Sequence, residues 1–263
     1  MSRVAKSGIA KSVLLYDPVE AIAHLRAADA KLAKLIDRTE SIGGFTLKPR
    51  HTRSPFHSLF QAILYQQLHG KAAATIHRRV RLIYSSAEIR AAIEGGADHT
   101  QFAHLLDDPH PQQILDTPDE LLRGAGVSFN KIKAMRDLAA RTLDGTVPDP
   151  KAIRKLTDMD IIERLSQVRG IGSWTVEMML IFTLGRPDVF PVTDYGVRKG
   201  FALTFMRVPK SRALTAADLP KPEVMLRRAK KWSPYRSVAA WYMWRACDLD
   251  TADRKMVLPD GDE

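Results

Sequence analysis

The sequence predicts an all-α fold, and three observations carry that expectation. Apolar residues recur at helical spacing along nearly the whole chain. No segment shows sustained period-two alternation, the signature of a half-buried strand. Capping residues and glycines divide the chain into many short segments joined by tight turns. With 263 residues, 45% of them hydrophobic, the chain can bury a full core in one large domain or in two closely packed subdomains. A charged fraction of 27% argues against disorder over most of its length.

The elements follow in order. Asp17-Pro18 opens an amphipathic run with Ile22, Leu25, Leu32, Leu35 and Ile36 on one face, restarted at Asp29 and stopped at Gly43-Gly44. Ser54-Pro55 starts a helix carrying Phe56, Leu59, Phe60, Ile63 and Leu64, expected to end near Gly70. A third helix is expected from about Lys71 to Tyr84. The stretch 95–111 is polar and poorly periodic, and is expected to be a loop with short helical pieces. Thr117-Pro118-Asp119-Glu120 reads as a capping box opening a short helix that ends at Gly124-Ala125-Gly126. Ser128 caps the next helix, whose Ile132, Met135, Leu138, Ala139 and Leu143 share one face before Gly145. Thr157 begins a helix expected to reach Val168, and further helices are expected at about 173–184, 195–205, 222–232 and 234–247. Ser233-Pro234 reads as a cap followed by a first-turn proline. Residues 1–16 form a basic N-terminal segment, 17–247 the helical core, and 248–263 a polar tail expected to fray.

The formal net charge of +10 suits a polyanionic partner, of which nucleic acid is the commonest. The single cysteine, Cys247, excludes an internal disulfide, a four-cysteine zinc site and an iron–sulfur cluster, and fits a reducing, intracellular setting. Its place in the apolar run 239–247 marks a small core residue rather than a nucleophile. No stretch approaches a membrane span, and Val13-Leu14-Leu15-Tyr16 is too short for a signal-peptide core.

Chemistry concentrates between residues 158 and 196. Leu165-Ser166-Gln167-Val168-Arg169-Gly170-Ile171-Gly172-Ser173-Trp174-Thr175 reads as helix, tight Gly-Ile-Gly turn, helix: a hairpin of helices spanning 158–184. The second helix would present free N–H groups to an approaching anion, aided by its dipole, and a DNA phosphate is a natural guest. Beyond it, Asp188-Val189-Phe190-Pro191-Val192-Thr193-Asp194-Tyr195-Gly196 places Asp194 where the following helix starts. A carboxylate there accepts helix N–H bonds; by itself it reads first as a simple N-cap.

Taken together, these residues resemble the helix-hairpin-helix DNA glycosylases, specifically the alkylpurine (DNA-3-methyladenine) glycosylase II branch in its compact form, like the yeast relatives. Tyr65-Gln66-Gln67-Leu68-His69 with Lys71-Ala72-Ala73, Gly126-Val127-Ser128…Lys131 and Trp232-Ser233-Pro234-Tyr235-Arg236-Ser237 fall in the family's order, from about residue 17 to 247. The small β-containing N-terminal domain of some bacterial members is not expected in the residues before Asp17. The resemblance implies two helical subdomains with the active-site cleft between them. It implies a monofunctional enzyme that flips alkylated purines out of double-stranded DNA, because the sugar linkage is otherwise buried, and hydrolyses the N-glycosidic bond. Asp194 would be the catalytic carboxylate, stabilising an oxocarbenium-like centre. Bifunctional relatives carry a lysine at the position of Trp174, so Schiff-base chemistry and strand cleavage are not expected. Trp174, Met178 and Trp244 would line the base pocket, where aromatic walls attract cationic purines by about 0.5–2 kcal/mol; both tryptophans also read as core residues. Gly170, Ile171, Gly172, Ser173 and Thr175 would grip the backbone. One of Gln67, Leu68 and His69, with alignment favouring Gln67, would fill the gap left by the flipped base. Carbonyls of Ser166, Val168 and Ile171 would hold a structural Na+ or K+; no cofactor is required. Lys71, Arg198, Lys199 and Arg236 are candidate phosphate contacts or plain surface charges. The alternatives are a glycosylase of the same fold acting on another base, a non-catalytic DNA-binding hairpin protein, and a metal-dependent nuclease. The iron–sulfur glycosylases need cysteines this chain lacks, and His51, His57, His69 and His77 are too scattered for a metal cluster. With no large spare apolar face in the sequence, a monomer is expected.

Overall fold

A computed structural model describes residues 14–49, 54–96, 106, 108–209, 212 and 214–257. The basic segment up to residue 13, His51, most of the stretch 97–107 and the end of the tail lie outside the described residues. The described secondary structure is helical throughout, with no strand, as the periodicity predicts. The chain divides into two compact units, one within Met1–Thr52 and Leu180–Glu263, the other within Arg53–Met179.

In the first unit, α1 (Pro18–Ala28) and α2 (Ala30–Glu40) are separated by Asp29, whose carboxylate accepts from the amides of Lys31 and Leu32. That restart turns the apolar faces of both helices onto one core, where Leu25, Leu32 and Ile36 are fully buried. Asp29 is 3% exposed and does more than cap. Its oxygens accept from Arg228 at 2.7 and 2.8 Å and from the Trp232 indole at 3.3 Å, and Lys231 stands 3.0 Å away. Burial alone would push this carboxyl up, but hydrogen bonds from Arg228 and Lys231 hold it down to about 2, against an ordinary 3.8. The charged form therefore stabilises the fold fully above the ordinary value, and that contribution fades as pH falls from about 4 towards 2. Asp29→Ala strands two cations beside a buried indole and should cost about 2–4 kcal/mol in urea unfolding at pH 7. The difference from wild type should shrink at acid pH; a constant difference down to pH 2 would contradict the assignment.

The same unit contains α11 (Tyr195–Phe205), α12 (Pro222–Ala229) and α13 (Arg236–Val257). Helix α13 starts two residues after the expected proline and runs ten residues past Cys247. Ser233 does not cap it, because its hydroxyl donates to Asp188 at 2.8 Å. Beyond Cys247 the segment expected to fray stays helical, with Leu249 buried and Asp250 paired to Lys199 at 3.3 Å.

In the second unit, α3 (Pro55–Tyr65), α4 (Gly70–Ile83), α5 (Ala87–Glu94), α6 (Pro111–Asp116), α7 (Asp119–Gly124), α8 (Phe129–Leu143), α9 (Asp158–Leu165) and α10 (Ser173–Phe182) follow in sequence, the last ending across the boundary. Leu59, Phe60, Ile63, Ile114, Leu122, Met135 and Leu138 form its core around α3, α6 and α8. Ser54, Ser128 and Thr157 cap as their spacing predicts. Helices α5 and α6 are not among the elements the sequence predicts, and α3 stops at Tyr65, five residues before the expected stop at Gly70, which instead opens α4. The capping box at Thr117 does not form. Thr117 ends α6, donating its hydroxyl to the Gln113 carbonyl at 2.6 Å and sharing a hydrogen bond with Tyr84. Pro118 then takes the cap position without a side-chain bond.

Candidate active site

In the second unit, the hairpin is built by ordinary turn chemistry. Thr157 and Asp160 form a reciprocal capping box that fixes the start of α9. At its other end the Val168 amide donates to Leu165 and the Ile171 amide to Val168, at 3.2 and 3.0 Å. Gly170 adopts φ 77°, a left-handed conformation a side chain would strain. Gly172 is different: its φ is ordinary, and a Cβ there would meet nothing within 4 Å. No contact inside the protein demands a glycine at 172. Helix α8 anchors the turn, since Asp137 accepts from the Arg169 amide at 2.7 Å and from Arg141 at 3.0 Å.

Gly172, Ser173 and Trp174 face solvent, with Trp174 46% exposed, so Trp174 is not a core residue. Ile171 and Thr175 are buried. The Thr175 amide donates to the Gly172 carbonyl at 3.0 Å and so helps build the turn. Met178 lies one helical turn beyond Trp174 and is half-buried.

The segment 66–69 between α3 and α4 is tied to the hairpin within this unit. Gln66 donates its amide to the Gly170 carbonyl at 2.9 Å. Lys131 donates to the Leu64 carbonyl at 2.7 Å, satisfying the end of α3. Gln67, Leu68 and His69 are exposed, and Gln67 has φ 56°, the one positive φ outside glycine among the described residues. Such a conformation costs of order 1–3 kcal/mol and persists only where neighbours impose it. Neither Gln66 nor Lys131 was assigned these roles from sequence, because both bonds span more than 60 residues.

In the first unit, Asp194 caps α11. Its Oδ1 accepts from the Val197 amide at 2.7 Å and from the Trp244 indole N–H at 2.8 Å. Gly196 makes room for that indole, since a Cβ there would lie 2.6 Å from Trp244 Cδ1. Phe182 packs on Trp244 with ring centroids 5.4 Å apart. Trp244 is therefore half-buried and bonded to a carboxylate, which a plain core residue would not be. Tyr195 next to Asp194 is largely exposed.

The residues ahead of Asp194 form a clamp. Asp188 receives Arg236 through two bonds of 2.7 and 2.8 Å, together with the Ser233 hydroxyl. Burial would raise the Asp188 carboxyl, but Arg236 and Ser233 hold it below the usual range. Ser237 accepts from the Val189 amide at 2.9 Å and donates to the Arg186 carbonyl at 2.7 Å. Arg236 is thus committed internally rather than offered to phosphate. Arg198 likewise donates to the Pro220 carbonyl, and Lys199 pairs with Asp250. Lys71 remains exposed.

Burial pushes the Cys247 thiol up to about 11, and it donates to the Gly196 carbonyl at 3.3 Å, so it is a protonated packing group at neutral pH. His77 is buried against Asp108 at 2.9 Å. Among the described residues no cluster of three or more His, Cys, Asp or Glu could hold a metal ion, and no helix is long and apolar enough to cross a membrane.

The family model described as HhH-GPD superfamily base excision DNA repair protein matches residues 60–222. DNA-3-methyladenine glycosylase 1 of Schizosaccharomyces pombe is 31% identical over 86% of this chain and 86% of its own. Among solved structures, the S. pombe 3-methyladenine DNA glycosylase in complex with abasic DNA superimposes with a TM-score of 0.66 and 31% identity, covering 86% of this chain and 95% of that one. A DNA-3-methyladenine glycosidase from Bacillus halodurans gives 0.68 and 29%, covering 92% and 94%. With the matched segment enclosing the hairpin, the 188–194 clamp and Asp194, the chain belongs to the HhH-GPD superfamily of base excision DNA repair proteins.

Proposed function

We propose that this chain is a monofunctional DNA glycosylase that flips alkylated purines of the 3-methyladenine type out of duplex DNA and hydrolyses the N-glycosidic bond, leaving an abasic site. The observation that carries the reading is the carboxylate of Asp194, fixed at the start of α11 by the Val197 amide and the Trp244 indole. As the base departs with the bonding electrons, positive charge develops on the sugar. A carboxylate held by neutral donors stabilises it without reorganising. Water then adds to the sugar carbon and gives up a proton. A purine already carrying an alkyl group and a positive charge leaves as a neutral base, so no strong general acid is needed. The names of the relatives support the same substrate class.

In this reading the hairpin grips the backbone. Gly172, whose missing side chain nothing inside the protein requires, lets a phosphate reach the first-turn amides of α10. Gln67, held in a strained turn that Gln66 ties to Gly170, fills the gap in the duplex. Trp174 and Met178 on α10 offer an aromatic ring and a thioether to the flipped purine, and in the other unit Trp244 stands beside Asp194 as a second aromatic for the same base. The carbonyls of Ser166, Val168 and Ile171 suit a weakly bound Na+ or K+. They are neutral oxygens, Ser166 is the C-cap of α9, and the Ile171 amide pins the Val168 carbonyl. The cation would help hold the turn; the hydrolysis itself needs no cofactor. The enzyme acts as an intracellular monomer.

The test measures free bases and strand breaks separately on methylated duplex DNA. Release of methylated purine with intact strands until alkali is added is the expected result. Release accompanied by nicking would show an amine nucleophile and refute the monofunctional assignment. Tight binding without release would favour a non-catalytic hairpin protein.

A further inference from the structure

The C-terminal end of α11 and the helix α12 enclose an open depression of about 430 Å³. Its floor is apolar, formed by Phe201, Phe205, Met206 and Val224, with Met206 and Val224 exposed. Its rim is cationic: Arg227, Arg228, Lys230 and Lys231 all line it. Of these four cations Arg228 and Lys231 share the buried carboxylate of Asp29, so the rim keeps three positive charges in excess. The depression lies at the opposite end of α11 from Asp194, about 15 Å along an eleven-residue helix. It is therefore separate from the carboxylate that the proposed glycosylase reaction uses.

The geometry points to a docking site for an acidic peptide segment of a partner protein, in which one large apolar side chain is flanked by carboxylates. The apolar side chain would cover Met206 and Val224, and the carboxylates would meet the rim. Arg228 is a fixed wall of the depression rather than its main attractor. Its guanidinium lies 4.0 Å over the Phe205 ring and its two bonds to Asp29 commit it internally. Arg227 and Lys230 supply longer-range attraction from exposed positions.

Nucleic acid fits this place less well. Single strands bind by stacking bases on aromatic faces. Here Phe201 is buried in the floor, and one face of Phe205 is already covered by Arg228. A phosphate backbone would satisfy the cations but leave Met206 and Val224 uncovered.

The experiment titrates the purified full chain against a fluorescein-labelled peptide of four aspartates around one phenylalanine, followed by polarisation. Binding with a dissociation constant of about 10–100 µM is expected, as for a small interface with few anchors. The double variant Arg227→Glu, Lys230→Glu should weaken it at least about tenfold by placing like charge on the rim. Val224→Asn, which alters the floor without adding charge, should do the same, while both variants melt like wild type and release methylated bases at the wild-type rate. An all-aspartate peptide binding as tightly as the phenylalanine peptide would overturn the proposal, because charge alone would then suffice. So would the absence of saturable binding. A loss of duplex DNA affinity in the charge-reversal variant as large as its loss of peptide affinity would assign the rim to nucleic acid instead. None of these outcomes bears on base release, so the glycosylase assignment stands or falls separately.

Discussion

Asp194→Asn is expected to lower the release of alkylated purines by a factor on the order of 10²–10³, the usual consequence of removing one preorganised electrostatic stabiliser. The substitution is unusually clean at this position. Asparagine keeps an acceptor oxygen at Oδ1, so the bonds from the Val197 amide and the Trp244 indole can both persist. It also remains a good N-cap for α11, whereas Asp194→Ala would discard the cap at a further cost of about 0.5–2 kcal/mol. The variant should therefore melt within about 1 kcal/mol of wild type and bind methylated duplex with an affinity changed only a few-fold. Single-turnover kinetics separate the possibilities, because they read the chemical step without product release. A rate within about fivefold of wild type would mean that the carboxylate is only a helix cap.

The pattern of what sequence could and could not reveal follows from the range of each interaction. Caps at Ser54, Ser128 and Thr157 involve groups three residues apart, and the local rule predicts them. Thr117 obeys the same local pattern, yet Gln113 one turn earlier offers its hydroxyl a carbonyl and Tyr84 offers it a second partner. Two competing local uses of one hydroxyl are indistinguishable without the surrounding helices. Asp194 was legible as a helix start, but its bond to Trp244 crosses 50 residues and left no periodic trace. The tie between Gln66 and Gly170 crosses 104 residues. Arg236 carries the clearest lesson. As a basic residue in a basic chain it invites a phosphate, but its planar fork is already filled by Asp188. Net charge gives the sign of the partner and says nothing about which cations are free to meet it.

Two glycines on α11 face α13, and they should fail in different ways. A Cβ at Gly200 would lie 1.9 Å from the Met243 carbonyl oxygen and 2.5 Å from its carbon. Those are backbone atoms in a helix and cannot rotate aside. Gly200→Ala must therefore push α11 and α13 apart, loosening the packing of Phe201, Ala202 and Met243, which are all buried. The expected cost is about 3 kcal/mol, the upper range for overpacking, or a fall in melting temperature of roughly 6–12 °C. Helix propensity favours alanine over glycine by up to about 1 kcal/mol, so any loss is measured against that gain. A Cβ at Gly196 meets side-chain atoms instead, 2.6 Å from Trp244 Cδ1 and 3.2 Å from Asp194 Oδ1. The indole can swing away, so Gly196→Ala should keep the fold to within about 1 kcal/mol. It should nonetheless slow base release by about 10²-fold, because displacing the ring by an ångström breaks its bond to the carboxylate. Gly200→Ala melting with wild type would mean that the two helices do not approach this closely. Full activity in Gly196→Ala would remove the indole from the machinery and leave Asp194 to act with the Val197 amide alone.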